Sequence, residues 1–227
     1  MARARPTRLS PDESVLVIGL GRFGSAVADA LTRAGHEVLG VDADPQIVAS
    51  WADRLSHVVQ ADTTQTAVLE QLGAAEFPVA VVGIGTDVEA SLLTTLGLLD
   101  AGVAEVWAKA VNPAHGRILS RIGAKHVVYP EASMGQRVAH LLAGTMEEFI
   151  EFDDGFAIVK MRAPRDLAGQ ALGQAQTRAR TGVTVVGVKR PGEDFTYAQA
   201  DTVVHSGDLL IVAGRTDLVE RFAAGVA

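Results

Sequence analysis

A glycine-rich turn follows the first apolar stretch of the chain, Val15–Ile18. Gly19, Gly21 and Gly24 have the spacing G-x-G-x-x-G, and a helix is predicted to begin at Phe23. In this pattern the first glycine makes a tight turn, the second lets a phosphate approach the backbone, and the third lets the helix pack on the strand. Free N–H groups at the helix start attract an anion. We predict that this turn, with Phe23, binds a nucleotide; the alternative is a purely structural turn.

Two charged residues refine this prediction. Asp42 ends a second apolar stretch, Val38–Val41. It lies about 20 residues past the glycines, where a carboxylate can accept a hydrogen bond from a ribose 2′-OH and repels a 2′-phosphate. NADP is therefore disfavoured. Arg22 lies inside the turn, where a cation opposes the helix dipole. Nearby anionic charge, such as a second or third phosphate, would relieve that conflict; the alternative is a solvated arginine.

Composition excludes several classes of protein. The 227 residues suffice for one large domain or two smaller ones. A net charge of −7 and only 5% aromatic residues argue against a nucleic-acid partner. The absence of cysteine excludes disulfides, thiolate metal sites and cysteine nucleophiles. The histidines lack the spacing of a zinc site. No apolar run approaches the ~18 residues of a membrane span, so we expect a soluble protein.

Apolar strands alternate with helical patterns up to about Thr145, which predicts a doubly wound, Rossmann-like parallel sheet. Side-chain caps are predicted for three of the helices: capping boxes at Thr86–Glu89 and Ser133–Gln136, and the cap pair Asn112–Pro113. After Glu147 the strands become short and partly alternating, which indicates a smaller α+β domain. The predicted organisation is a disordered leader at 1–13, a nucleotide-binding domain at 14–145 and a second domain at 146–227.

Ligands of a doubly wound sheet bind at the carboxyl ends of its strands. The candidates there, besides the turn and Asp42, are Asp62, Thr63, the stretch Gly83–Thr86 with Gly85 in it, Lys109 and Glu131. Asp62 could instead cap the following helix, and Lys109 could be a surface lysine. Glu131 is expected in a loop before the Ser133 cap, where a carboxylate also favours the helix N-terminus.

The chain resembles a known family over nearly its whole length. The resemblance rests on the glycine turn, Gly35–Val38, Val41–Asp42, Leu93–Leu96, Trp107–Ala110, Ile122–Ala124, Pro130–Gly135, Thr177–Arg180 and Ser206–Gly214. These motifs are similar to those of the RCK (TrkA-N and TrkA-C) regulatory subunits of Ktr and Trk potassium uptake systems, and most similar to the Ktr type.

The resemblance implies a non-enzymatic cytosolic subunit that forms dimers and an octameric ring, docks on a membrane potassium-translocating subunit, and gates it by binding ATP or ADP. It further implies that Arg22 reaches a γ-phosphate across a dimer interface and that Asp42 binds ribose. Lys109 would lie near the phosphates, and Asp62–Thr63 near the adenine. Glu131 would hold a sodium or divalent cation between paired nucleotides.

The same resemblance raises a second ligand for the C-terminal domain. Some relatives bind cyclic di-AMP there through an arginine and an apolar patch. Arg178, followed by Ala179, matches that arginine, but Gly173 replaces part of the apolar pair and the expected proline is absent at 198–201. The alternative is a domain that only dimerises.

Two rival functions stay open from the sequence. One is an NAD(H)-binding redox sensor or NAD-dependent oxidoreductase, although no general acid or base with a supporting partner can be placed near the strand ends. The other is a nucleotide sensor without a channel partner.

Overall fold

The computed structural model describes residues 9–10, 13–142, 146–152 and 155–225. Its contacts divide the chain into two compact units, Met1–Glu131 and Ala132–Ala227. The predicted border at 145/146 stays a prediction. Most of the predicted disordered leader lies outside the described residues, although Leu9 packs against the core of the first unit.

In the described part of the first unit, six parallel strands form one sheet in the order β3-β2-β1-β4-β5-β6. Helix α6, Pro130–Leu142, begins in this unit, and most of its residues belong to the second. The other elements are β1 Val15–Ile18, α1 Arg22–Arg33, β2 Val38–Asp42, α2 Pro45–Trp51, β3 His57–Gln60, α3 Thr66–Gln71, β4 Val79–Val82, α4 Val88–Asp100, β5 Glu105–Lys109, α5 Pro113–Ile122 and β6 His126–Val128. This order confirms the predicted Rossmann-like α/β fold. From β1 the chain first adds strands on one side, β2 and β3, and then on the other, β4 to β6. The carboxyl ends of β1 and β4 therefore mark the topological switch point.

Strand β1 is the centre of the first unit. All four of its side chains are at most 1% exposed. Leu16 and Ile18 belong to one hydrophobic core, and Val15 and Val17 belong to another. Because successive side chains point to opposite faces, β1 must be covered on both sides. This explains its uninterrupted apolar sequence and fixes the glycine turn that follows it.

Two of the three predicted helix caps are wrong. Helix α4 begins at Val88 and is capped by Asp87, whose carboxylate accepts a backbone N–H at 3.0 Å, so Thr86–Glu89 is not a capping box. Asp87 caps as well as a threonine would. Helix α6 begins at Pro130, a residue suited to the first turn, and the predicted Ser133–Gln136 box lies inside it. Asn112 caps α5 as predicted, accepting a backbone N–H at 2.9 Å.

Within the described residues of the second unit, an antiparallel sheet has the order β10-β9-β11-β8-β7. Its elements are β7 Met146–Phe152, β8 Phe156–Arg162, α7 Leu172–Ala175, α8 Thr177–Thr181, β9 Thr184–Lys189, β10 Phe195–Tyr197, β11 Leu209–Arg215 and α9 Thr216–Ala223. This arrangement confirms the predicted small α+β domain. The two edge strands and the two short helices were not predicted. Gln176, between α7 and α8, adopts a left-handed conformation with φ of 48°.

Candidate nucleotide-binding site

The glycine turn has the geometry that its spacing predicts. Gly19 has φ of +84°, and a methyl group at Gly24 would collide with the carbonyl oxygen of Gly19. A Cβ at Gly21 would meet no atom within 4 Å, so this position is open to a ligand. A Cβ added at Gly83, the first residue of the predicted Gly83–Thr86 stretch, would lie 2.7 Å from the same carbonyl oxygen. The end of β4 therefore packs directly against the turn.

The N-terminus of α1 is free to bind an anion. Gly21 is its N-cap and gives no side-chain hydrogen bond, and no acidic residue occupies the first turn. The backbone N–H groups there have no intrahelical partner. Arg22 is exposed, and its guanidinium forms no hydrogen bond or ion pair within the described part of the chain. The donors and the cation together suit a phosphate group.

Asp42 links the glycine turn to the end of β2. One carboxylate oxygen accepts the N–H of Leu20 at 2.7 Å, and the other accepts the N–H of Asp44 at 2.9 Å. These bonds fix the orientation of the carboxylate. Each carboxylate oxygen can accept a further hydrogen bond, so the group retains capacity for ribose hydroxyls.

Lys109 brings several predicted site residues together at the carboxyl end of β5. Its Nζ lies 2.6 Å from Oε1 of Glu131 and 6.0 Å from the centroid of the Phe23 ring. A Cβ at Gly85 would lie 3.0 Å from the same Nζ, so the lysine passes over that glycine. The Lys109 side chain is 12% exposed, whereas that of Glu131 is 64% exposed. A fixed cation therefore lies beside the aromatic ring of α1.

Glu131 is placed differently from the prediction. It lies in the first turn of α6 and not in a loop, because α6 begins one residue earlier at Pro130. The hydrogen bond from Lys109, then that from its own backbone N–H, and then the charges of Lys109 and Arg22 hold the pKa of Glu131 below its usual value. No group of three or more potential metal ligands occurs among the described residues. A cation at Glu131 would thus need further oxygen ligands, such as phosphate oxygens.

Asp62 and Thr63 follow β3. Asp62 is not a helix cap, because α3 begins at Thr66; its carboxylate accepts hydrogen bonds from the hydroxyl and N–H of Thr64 at 2.7 and 3.1 Å. The pKa of Asp62 is lowered by these bonds and by one from the Gln65 amide. The Thr63 side chain is buried, and its hydroxyl shares a hydrogen bond with Thr94 at 2.9 Å. Among the described residues, no hydrogen bond or ion pair joins Asp62 or Thr63 to Lys109.

Arg178 lies in the second unit, in a separate cleft of about 210 Å³. The cleft is lined by Leu172, Gly173, Thr177, Arg178, Thr184, Val185, Ala198, Gln199 and Ala200. Ala179, its predicted neighbour, is exposed on α8 and is not part of this lining. Ala198, Gln199 and Ala200 come from the segment after β10, within the 198–201 stretch that the resemblance already linked to Arg178.

A Rossmann-like unit with an open glycine turn, joined to a small α+β unit, defines a two-domain protein of the nucleotide-binding fold class. The family models give its membership. The TrkA-N domain matches residues 15–130, and the TrkA-C domain matches residues 156–224. The chain belongs to this TrkA-N/TrkA-C (RCK) family, which confirms the predicted resemblance.

Several curated relatives match almost end to end. The chain is 39% identical to Ktr system potassium uptake protein C of Bacillus subtilis, covering 91% of this chain and 94% of the relative. It is 36% identical to Ktr system potassium uptake protein A of Vibrio alginolyticus, with coverage of 91% and 94%. Potassium transport is therefore the process in which its named relatives act.

A solved structure shares the fold. The GsuK channel aligns with a TM-score of 0.65 at 21% identity, over 93% of this chain. This chain spans only 39% of that channel's length. In the part of this chain that the structure describes, no helix is both long and apolar enough to cross a membrane.

Proposed function

We propose that this chain is a non-enzymatic regulatory subunit that binds ATP or ADP at the glycine turn and thereby controls potassium flux through a membrane partner. It would act in the cytoplasm, at the inner face of the membrane, as dimers assembled into an octameric ring. The membrane partner is required by the proposal because a subunit that regulates flux needs a pore to act on. The Ktr relatives support the potassium system, and the fold supports the nucleotide.

The observation that carries the proposal is the open glycine turn with two cationic side chains at the start of the helix that follows it. Arg22 begins α1, and its guanidinium has no described hydrogen bond or ion pair. Lys109, at the end of β5, lies beside the ring of Phe23, the second residue of α1. Asp42 retains acceptor capacity for ribose. A triphosphate carries more negative charge than the pyrophosphate of NAD, and two cations favour the more highly charged ligand. Glu131 would supply one carboxylate ligand to a sodium or divalent cation, and phosphate oxygens would supply others.

Calorimetry with ATP, ADP, NAD⁺ and NADH tests this function. We expect ATP and ADP to bind, and Arg22→Ala to lose mainly ATP affinity, by about tenfold or more if one charge-assisted contact is removed. Arg33→Ala is the matched control, because Arg33 ends the same helix and pairs with Asp29 at 3.0 Å. Tighter binding of NADH than of ATP, unaffected by Arg22→Ala, would instead indicate the redox sensor or oxidoreductase.

Regulation requires more than binding. A nucleotide can shift a conformational equilibrium only if it binds the two states with different affinity. We therefore expect potassium flux through the reconstituted complex to change when ATP replaces ADP. Equal flux with either nucleotide would refute the gating proposal while leaving the binding site intact. A subunit that binds nucleotide but copurifies with no membrane protein would be a stand-alone sensor.

The Arg178 cleft supports a second ligand, cyclic di-AMP, at the C-terminal domain. Its volume is below the usual 300–1,000 Å³ of a small-molecule site, which fits half of a site shared between two copies. We expect Arg178→Ala to abolish calorimetric binding of cyclic di-AMP. Arg180→Ala is the control, since Arg180 lies on the same short helix but outside the cleft lining. No binding to the unmodified protein would favour a domain that only dimerises.

A further inference from the structure

The ion pair between Lys109 and Glu131 joins a fixed residue to one that is easily moved. Lys109 is 12% exposed and is held between the Gly85 backbone and the ring of Phe23. Glu131 is 64% exposed and could turn its carboxylate into water at little desolvation cost. If another anion arrives at Lys109, Glu131 is therefore the partner that leaves.

We propose that Glu131 is a built-in competitor for nucleotide phosphate: its carboxylate occupies the Lys109 ammonium until a phosphate displaces it. This inference rests on the proposed nucleotide function and deepens it. A carboxylate and a phosphate near one ammonium repel each other strongly where water is partly excluded. We therefore expect the 2.6 Å contact to lengthen or break when a phosphate oxygen binds Lys109.

The displaced carboxylate is attached to a helix that leads into the second unit. Glu131 is in the first turn of α6, Pro130–Leu142, and the border between the units falls directly after Glu131. The Lys109 contact ties this first turn to the end of β5. When a phosphate replaces Glu131 at Lys109, this contact is lost. Phosphate binding in the first unit therefore acts directly on the first turn of α6.

A double-mutant cycle on ADP affinity, measured by calorimetry in EDTA, tests the competition. EDTA removes divalent cations and a sodium-free buffer removes sodium, so neither proposed ion can bind through Glu131 during the titration. Glu131→Gln should tighten ADP binding about two- to fivefold, the range expected for an ion pair with one exposed member. In a Lys109→Met background the same change should have almost no effect. Glu70→Gln, at an exposed position on α3, controls for the loss of one negative charge.

The cycle separates competition from simple repulsion. If Glu131 only repels phosphate through space, Glu131→Gln tightens binding equally with and without Lys109, and this overturns the proposal. No tightening in either background also overturns it. Failure of the wild-type protein to bind ATP or ADP refutes the proposed function itself, whereas binding without coupling refutes only the competition.

A second measurement needs neither nucleotide nor a Lys109 variant. Acetic anhydride acylates the lysine amines that it can reach, and a carboxylate 2.6 Å from the Lys109 Nζ covers part of that amine. In the nucleotide-free protein, Glu131→Gln should raise acetylation of Lys109, measured by mass spectrometry relative to exposed Lys125. Glu70→Gln should not. Unchanged acetylation of Lys109 in Glu131→Gln would show that the carboxylate does not cover the lysine amine, and would overturn the proposal.

Discussion

The glycine turn makes a sharp prediction, because two of its glycines are required for different reasons. A methyl group at Gly24 would collide with the carbonyl oxygen of Gly19, which is backbone and cannot swing away. A methyl group at Gly21 would meet no atom within 4 Å. Gly24→Ala should therefore damage the fold, whereas Gly21→Ala should damage only the approach of a phosphate.

The magnitudes follow from the two environments. Overpacking costs about 1–3 kcal/mol, and a collision with backbone belongs at the upper end. Alanine recovers about 1 kcal/mol of helix propensity over glycine inside α1. Gly24→Ala should thus lose about 2 kcal/mol, or roughly 6 °C in the melting temperature of the first unit. Gly21→Ala changes an N-cap and should lose about 0.5 kcal/mol.

Thermal unfolding followed by circular dichroism, together with calorimetric ADP titration, checks both variants. We expect Gly24→Ala to melt early, and Gly21→Ala to melt close to wild type but bind ADP at least about tenfold more weakly. Equal destabilisation by the two substitutions would refute the division of roles. Unchanged ADP affinity in Gly21→Ala would show that the phosphate does not approach this position.

Three further predictions concern single residues. Gln176→Gly should raise the unfolding free energy of the second unit by about 0.5–1 kcal/mol in urea, because glycine adopts the left-handed conformation without strain; a loss of stability would contradict this. Thr94→Val should cost about 1–3 kcal/mol by leaving the buried Thr63 hydroxyl without its partner, and Thr94→Ser should restore most of it. Burial lowers the pKa of His115, so the unfolded state binds more protons just below pH 6.5 and stability should fall as the pH drops through that range. His115→Asn should flatten this slope in melting experiments, and an unchanged slope would assign it to other groups.

The parallel sheet was predictable because its central strands β1 and β4 are buried on both faces and therefore appear as short apolar runs. Strand β7 was not, because it carries three glutamates in seven residues and lies at a sheet edge. The short helices α7 and α8 were also missed. Their junction is a left-handed Gln176, where a glycine would have signalled a helix end.

The site residues also fall into two groups, those that the sequence alone places and those that depend on where distant elements begin and end. The glycine turn and Asp42 are local to one strand–helix–strand segment, so their spacing alone places them. The contact between Lys109 and Glu131 depends on where β5 ends and on the start of α6 at Pro130. That start was missed because Ser133 offered a plausible later cap. An error of three residues in one helix start concealed the ion pair.

The edges of the antiparallel sheet bear on how the protein stays dispersed at high concentration. An exposed strand edge offers unpaired backbone groups to any other chain, and charged or very short edge strands discourage such pairing. The edge at β7 carries Glu147, Glu148 and Glu151, and the opposite edge at β10 is three residues long. Two β7 edges brought together would place like charges side by side. Pairing of further strands from other chains is thus discouraged at both edges of the sheet, by the charges of β7 at one edge and by the short length of β10 at the other.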